Sequence, residues 1–250
     1  MTRLRLGATL WVLCLLTFPA QVIAAAQWPS PYSWSSNLIS DLGVTVCGIY
    51  DTGTRVERYI CSPANLLANG ATVANGVLLA VGAILLWSAW PRRRTGRAAM
   101  VFLALGGLLV AAVGLLPWNL QPEGHNVAAL AQAAVQWIGM LILATALKGG
   151  AAARWASALT LVSLTFSIAG FILFIDAIGG GPSISLGLGI TERLAFDTFT
   201  IWGAALGLIL LMTTLSKNHT TSSQGEQQSS STPRHHATMP RTSAGEFSAV

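Results

Sequence analysis

Long apolar runs separated by short polar connections dominate the chain, and the pattern occurs six times. The runs lie near residues 6–26, 65–90, 98–117, 125–147, 155–177 and 192–215. Each is long enough to cross a hydrocarbon core of about 30 Å, which takes roughly 20 helical residues. Runs such as Val101 to Leu116 show no strand alternation, and backbone polar groups in lipid must be satisfied within their own segment. The predicted fold is therefore all-α, a polytopic six-helix transmembrane bundle over residues 1–215.

The polar segments between the runs are unequal. Gln27 to Pro63 is too polar to span and rich in Trp, Tyr and Pro, so an ordered loop over 27–64 is expected to fold across one mouth of the bundle. Pro91 to Arg97 and Lys148 to Arg154 are short enough only for antiparallel neighbours. From Ser216 onward Ser, Thr, Gln and His dominate, and so few apolar residues cannot offset the ordering entropy. Residues 216–250 are expected to form a disordered tail.

Charge adds an orientation. Of 14 Lys and Arg, 11 fall in alternate connections or termini: Arg3, Arg5, the 92–97 cluster, Lys148, Arg154, Lys217, Arg234 and Arg241. The positive-inside rule makes those segments cytoplasmic, both termini included. Asp41, Asp51, Glu57, Glu123, Asp176, Glu192 and Asp197 fall in or near the opposite, extracytoplasmic set. With 53% hydrophobic and 9% charged residues the chain is far from a soluble domain, of which about 25% is charged. The net charge of +5 sits beside apolar spans with no aromatic-studded basic surface, which argues against a nucleic-acid partner. Met1 to Arg5 and Ala24-Ala25-Ala26 also spell a signal peptide, but the apolar stretch from Leu6 to Ala26 exceeds the usual 7–15 residues, so a retained helix is favoured.

Cys47 and Cys61 share the outer loop, and a disulfide between them is expected to hold Asp51 to Arg58 as a small hairpin or loop. Closing it constrains the unfolded chain by on the order of 3 kcal/mol. Cys14, alone in the first span, reads as packing.

The most specific string is Asn37-Leu38-Ile39-Ser40-Asp41-Leu42-Gly43 after the first span. It is followed by Cys61-Ser62-Pro63 leading to Asn65 and Asn69, Pro122 and then His125 opening the fourth span, and Glu192-Arg193 opening the sixth. In order and placement these resemble the bacterial family of unknown function known as DUF998 and, more distantly, DRAM-like six-helix membrane proteins. The resemblance covers roughly residues 6–215 and implies six helices with an ordered outer loop in a bacterial plasma membrane protein. It brings no established activity.

Ser40 and Asp41 suit a turn or helix cap. His125, Ala129, Gln132 and Gln136 share one helical face, and Asn65, Asn69 and Thr72, with Asn75 near them, form a matching polar set on the second span. Such stripes turn inward in lipid, where interhelical hydrogen bonds are their ordinary use. Arg193 and Asp197 are neighbours at i, i+4 and are expected to pair, with Arg193 turned toward an anionic headgroup or Asp41 as the second option. Gly203 and Gly207 read as a packing seam.

The candidate ligand-binding set is Asn37, Ser40, Asp41, Asn65, Asn69, His125, Glu192 and Arg193. It favours a non-enzymatic protein that binds or organises membrane lipid, or a partner membrane protein, at its outer face. The first alternative is a lipid-headgroup hydrolase with Asp41, His125 and Glu192 as acid-base groups or a Ser-His-Asp arrangement using Ser40 or Ser62. No metal site or cofactor is read, since His125 is the sole outer histidine. Transport is the second alternative, disfavoured because only uncharged polar groups are expected at depth.

Overall fold

The computed structural model describes the backbone of residues 2–147 and 149–230 and the side chains of 2–147 and 149–213. Within it, six helices are long and apolar enough to cross a membrane. They are α1 (Arg3–Ala26, with a 3₁₀ turn at Cys14–Leu16), α2 (Asn65–Leu85), α3 (Arg93–Leu115), α4 (Pro122–Ala146), α5 (Ala151–Ile178) and α6 (Leu188–Ser230, apolar over Leu188–Thr213). The second run was read as helical to residue 90 but leaves the helix at Leu85. Pro91 disfavours helix at the residue before it, and Trp90 folds back to lie buried against Gly96. The chain divides into two compact units, Met1–Thr214 and Leu215–Val250. Of the tail expected to be disordered, the backbone of 216–230 is helical and 231–250 lie outside the described residues.

Consecutive helices pack as neighbours, and α6 closes on α1. Trp11 Nε1 of α1 donates to the Leu79 carbonyl of α2 at 3.1 Å, which satisfies the polar edge of a fully buried indole. Glycines let α2 and α3 touch backbone to backbone: a Cβ on Gly76 would lie 2.3 Å from Ala111 N, and one on Gly107 2.6 Å from Ala80 N. Gly106 of α3 makes room for Gln136 of α4. Trp137 of α4 donates to Ser167 of α5 at 2.9 Å, and Ser167 donates to the Ala195 carbonyl of α6 at 2.7 Å. Trp202 of α6 donates to Thr160 of α5 and packs, tilted, at 5.9 Å on Trp11, so two indoles join four helices, α1, α2, α5 and α6, at the centre. Gly207 lets α6 approach Ala8 of α1, whereas Gly203 meets nothing closer than 3.9 Å, so the expected seam is half used.

At the end opposite the arginine-rich connections, the long loop forms a cap. Trp28, Tyr32, Leu42, Val44, Ile60 and Ala68 make a small core of their own. A 3₁₀ turn at Ser40–Gly43 crosses the mouth. Beyond it, β1 (Gly48–Tyr50) and β2 (Arg58–Ile60) pair antiparallel in the register Gly48 to Ile60. The Cys47–Cys61 disulfide closes the base of this hairpin, as expected from the shared loop. The turn is made by Asp51 at φ 56° and Gly53 at φ 77°, left-handed conformations that Asp tolerates and Gly adopts freely.

Candidate functional site

The cap is held by two arginines. Arg58 grips the fully buried Asp41 with two bonds, Nε to Oδ2 at 2.8 Å and Nη2 to Oδ1 at 2.7 Å, while its Nη1 donates to Asp51 at 2.6 Å. Asp41 Oδ2 also accepts from Leu38 N at 2.9 Å and so fastens the turn, whose N-cap Ile39 has no side-chain cap. Burial by itself works against the charge on Arg58. Hydrogen bonds and charge from Asp41, then Asp51, outweigh it and hold the guanidinium above its ordinary value.

Arg193 makes the second clamp, and the expected pairing with Asp197 or Asp41 is corrected. It forms no ion pair with Asp197 or Asp41. Its Nη1 donates to the carbonyls of Asn37 and Gly189 at 3.0 Å and Trp34 at 3.2 Å, and its Nη2 to the Tyr32 hydroxyl. The guanidinium lies 4.9 Å from the Trp34 ring and 5.6 Å from Tyr32. Three backbone acceptors and two aromatic faces outweigh one carboxylate a turn away. Burial of Tyr32 pushes its ionisation up, only partly opposed by Arg193.

Beneath the cap are two cavities that share Ser40, Trp118, His125, Ala129, Glu192 and Phe196. The inner chamber, about 110 Å³, lies among α1, α2, α3, α4 and α6. Its polar wall includes Gln21 and Asn69, with Asn75 and Thr200 bonded to each other at 3.1 Å across α2 and α6. His125, Ala129, Gln132 and Gln136 all line it, the face that their spacing laid out. His125 Nδ1 donates to the Leu116 carbonyl at 2.7 Å, because a carbonyl can only accept. Gln136 is 1% exposed and its Nε2 has no hydrogen-bond partner among the described residues.

The outer groove, about 410 Å³, runs between α4 and α5. Leu130, Phe171, Phe174, Ile175 and Ile178 give it apolar walls, and Ser40, Arg58 and His125 a polar end. Leu130, Ile175 and Ile178 are 44–49% exposed, so the groove opens on the side of the bundle.

The candidate residues thus separate into two groups. Ser40, Asn69, His125 and Glu192 line the inner chamber. Asn37, Asp41, Asn65 and Arg193 serve the cap: Asn37 Oδ1 accepts from Ser33 N at 2.9 Å, and Asn65 donates to the Ser62 carbonyl at 2.9 Å. Ser62 Oγ is committed to the Leu42 carbonyl at 2.6 Å and Asp41 to Arg58, so a Ser62-His125-Asp41 arrangement is not assembled. Among the described residues, no group of three His, Cys, Asp or Glu is placed to hold a metal ion.

One residue overturns the expectation that only uncharged groups reach the deeper layers. Asp197 faces the chamber nine residues into α6, about 14 Å along the axis at 1.5 Å per residue. Sequence reasoning also missed Arg58, Gln21, Trp118 and the two phenylalanines. Only Gln21 carried a signal, as a polar residue inside an apolar run.

Compared with known proteins, residues 12–209 match the family model described as Protein of unknown function (DUF998). No curated protein and no solved structure matches the chain.

Proposed function

The chain belongs to the DUF998 family of unknown function, and from that premise we propose that it is a lipid-binding protein that takes one amphiphile into the groove beneath its cap. Six apolar helices fit a multi-pass membrane protein. The distribution of basic residues supports a bacterial plasma membrane location with the cap outside and both termini in the cytoplasm.

The observation that carries the reading is the polarity gradient of the connected cavities. An apolar slot between α4 and α5 opens sideways, where acyl chains lie, and ends at Ser40, His125 and Glu192 under the cap. A tail in the slot and a headgroup under the cap satisfy both linings at once, which neither a soluble metabolite nor a pure hydrocarbon does. The gap between α4 and α5 needs no opening of the cap.

Native mass spectrometry of protein extracted in polymer-bounded lipid discs tests this. One lipid retained per chain after the surrounding bilayer is stripped, and lost in Ala129→Trp, which fills the junction of groove and chamber, is the expected result. Wild-type protein without retained lipid, or undiminished occupancy in Ala129→Trp, overturns it.

A further inference from the structure

The charges around the chamber specify the headgroup. Among its described lining residues are two carboxylates, Glu192 and Asp197, and neither Lys nor Arg. The nearby guanidiniums are largely committed, Arg58 to Asp41 and Asp51, and Arg193 through its two Nη groups to loop carbonyls and Tyr32; among the described residues only the Arg193 Nε lacks a partner, and the Arg193 charge reaches both acids without an ion pair to either. An anionic headgroup would therefore meet two acids and no cation among the described residues of the chamber wall. Glu192 receives one donor, Ile39 N, while Asp197, beside the Gln21 amide, forms no ion pair among the described residues. Carboxylates in such a setting call for a compensating cation.

A further group refines the choice. The Gln136 amide supplies the opposite requirement, since its buried N–H₂ has no acceptor among the described residues. A hydroxyl oxygen beside the ammonium would satisfy it.

We propose that the inner chamber recognises an amino alcohol: a protonated primary amine held by the carboxylates Asp197 and Glu192, with its hydroxyl received by Gln136. This inference rests on the lipid-binding reading and names its headgroup chemistry. The amine belongs either to an amphiphile whose chain lies in the groove or to a free small molecule.

Titrations followed by native mass spectrometry on the detergent-solubilised full chain separate these possibilities, with sphinganine, octadecanol and octadecanoate as chain-matched probes. Sphinganine is expected to bind at least tenfold tighter than octadecanol, and octadecanoate weakest. Asp197→Asn should erase the sphinganine preference while leaving octadecanol unchanged. Ethanolamine displacing sphinganine at millimolar concentration would support the ammonium site with a free amine as its ligand. Failure to displace, with the sphinganine preference intact, would support it with the lipid as the source. Octadecanoate binding as tightly as sphinganine overturns the amine assignment and leaves lipid binding standing. No binding by any of the three long-chain probes overturns both. The wild-type ranking needs no variant, so it remains decisive if Asp197→Asn does not fold.

Discussion

Replacing Arg58 by Met removes the group that joins the hairpin to the mouth of the bundle, and the cost follows from what is left behind. Asp41 is 0% exposed and would keep one donor, Leu38 N, in place of three. The Arg58 side chain is 11% exposed, so solvent barely screens the pair. Losing one partner of a buried ion pair costs about 3–5 kcal/mol, against about 1 kcal/mol or less for an exposed one. The loss falls on opening of the cap, because the helices below are joined by Trp11, Trp202 and the glycine contacts independently of Arg58.

Native-state hydrogen exchange reads this directly. At about 1.4 kcal/mol per factor of ten, the amides of Leu38 and of β1 and β2 should exchange two to nearly four orders of magnitude faster in Arg58→Met. Those of α2 and α3 should change little. Adding Asp41→Asn should restore part of the protection, since a neutral amide still accepts from Leu38 N and removes the stranded charge. An acceleration below about tenfold, or a double variant worse than the sum of the singles, would refute the reasoning.

Other expectations rest on separate features. Gly76→Val should lower stability by about 1–3 kcal/mol or more, because its Cβ would strike the α3 backbone at Gly107 and Ala111, whereas Gly70→Ala, open to at least 4 Å, should stabilise slightly; thermal unfolding of the two variants compares them. A membrane-impermeant thiol reagent should label Cys47 and Cys61 only after reduction, and labelling of unreduced protein would reject the bridge. Tyr32 should ionise above the ordinary 10.0 because burial resists the phenolate. A folded-state value above the unfolded one leaves stability intact below pH 10.0 and removes it as pH rises past that point. Absorbance titration at 295 nm, about the phenolate band, should show a late step absent from Tyr32→Phe.

What the sequence revealed and what it concealed divide along physical lines. Spans are legible because a bilayer imposes a minimum length on an apolar run, and the chamber face of α4 because helical periodicity aligns His125, Gln132 and Gln136. Arg193 was misread for a definite reason. Its spacing to Asp197 shows which residues are adjacent on a helix, but the carbonyls of Trp34 and Asn37 lie more than 150 positions away and leave no local pattern. Arg58 was passed over because its partner Asp41 is 17 residues distant across a turn whose register is not written in periodicity. Asp197 looked interfacial because the last run was taken to start at Glu192. The helix begins four residues earlier, at Leu188, which carries the carboxylate a further turn inward.

The same loop segment that defeats local reading also determines how the chamber can be reached. Between Asn37 and Gly43, successive groups are fastened to different supports: the Asn37 carbonyl to Arg193, Ile39 N to Glu192, Asp41 to Arg58, the Leu42 carbonyl to Ser62 and the Gly43 carbonyl to Asn69. These attachments tie the roof to α2, α6 and the hairpin. Lifting it would release several buried polar groups together, each costing on the order of 1–3 kcal/mol when left unpaired. Among the described residues the gap between α4 and α5 has no comparable lock at its groove end: Phe171 and Phe174 face the slot, Phe171 edge-on to Trp137, and the two hydrogen bonds between these helices, Trp137 to Ser167 and Ser157 to the Ala144 carbonyl, involve other residues than those of the slot. Parting apolar side chains there exposes them to hydrocarbon instead of water, at little hydrophobic cost. On the proposed lipid-binding reading, the low-energy route into the chamber is therefore sideways between α4 and α5. That route would favour amphiphiles over water-borne solutes and would bring a headgroup inward from the membrane surface to the acids.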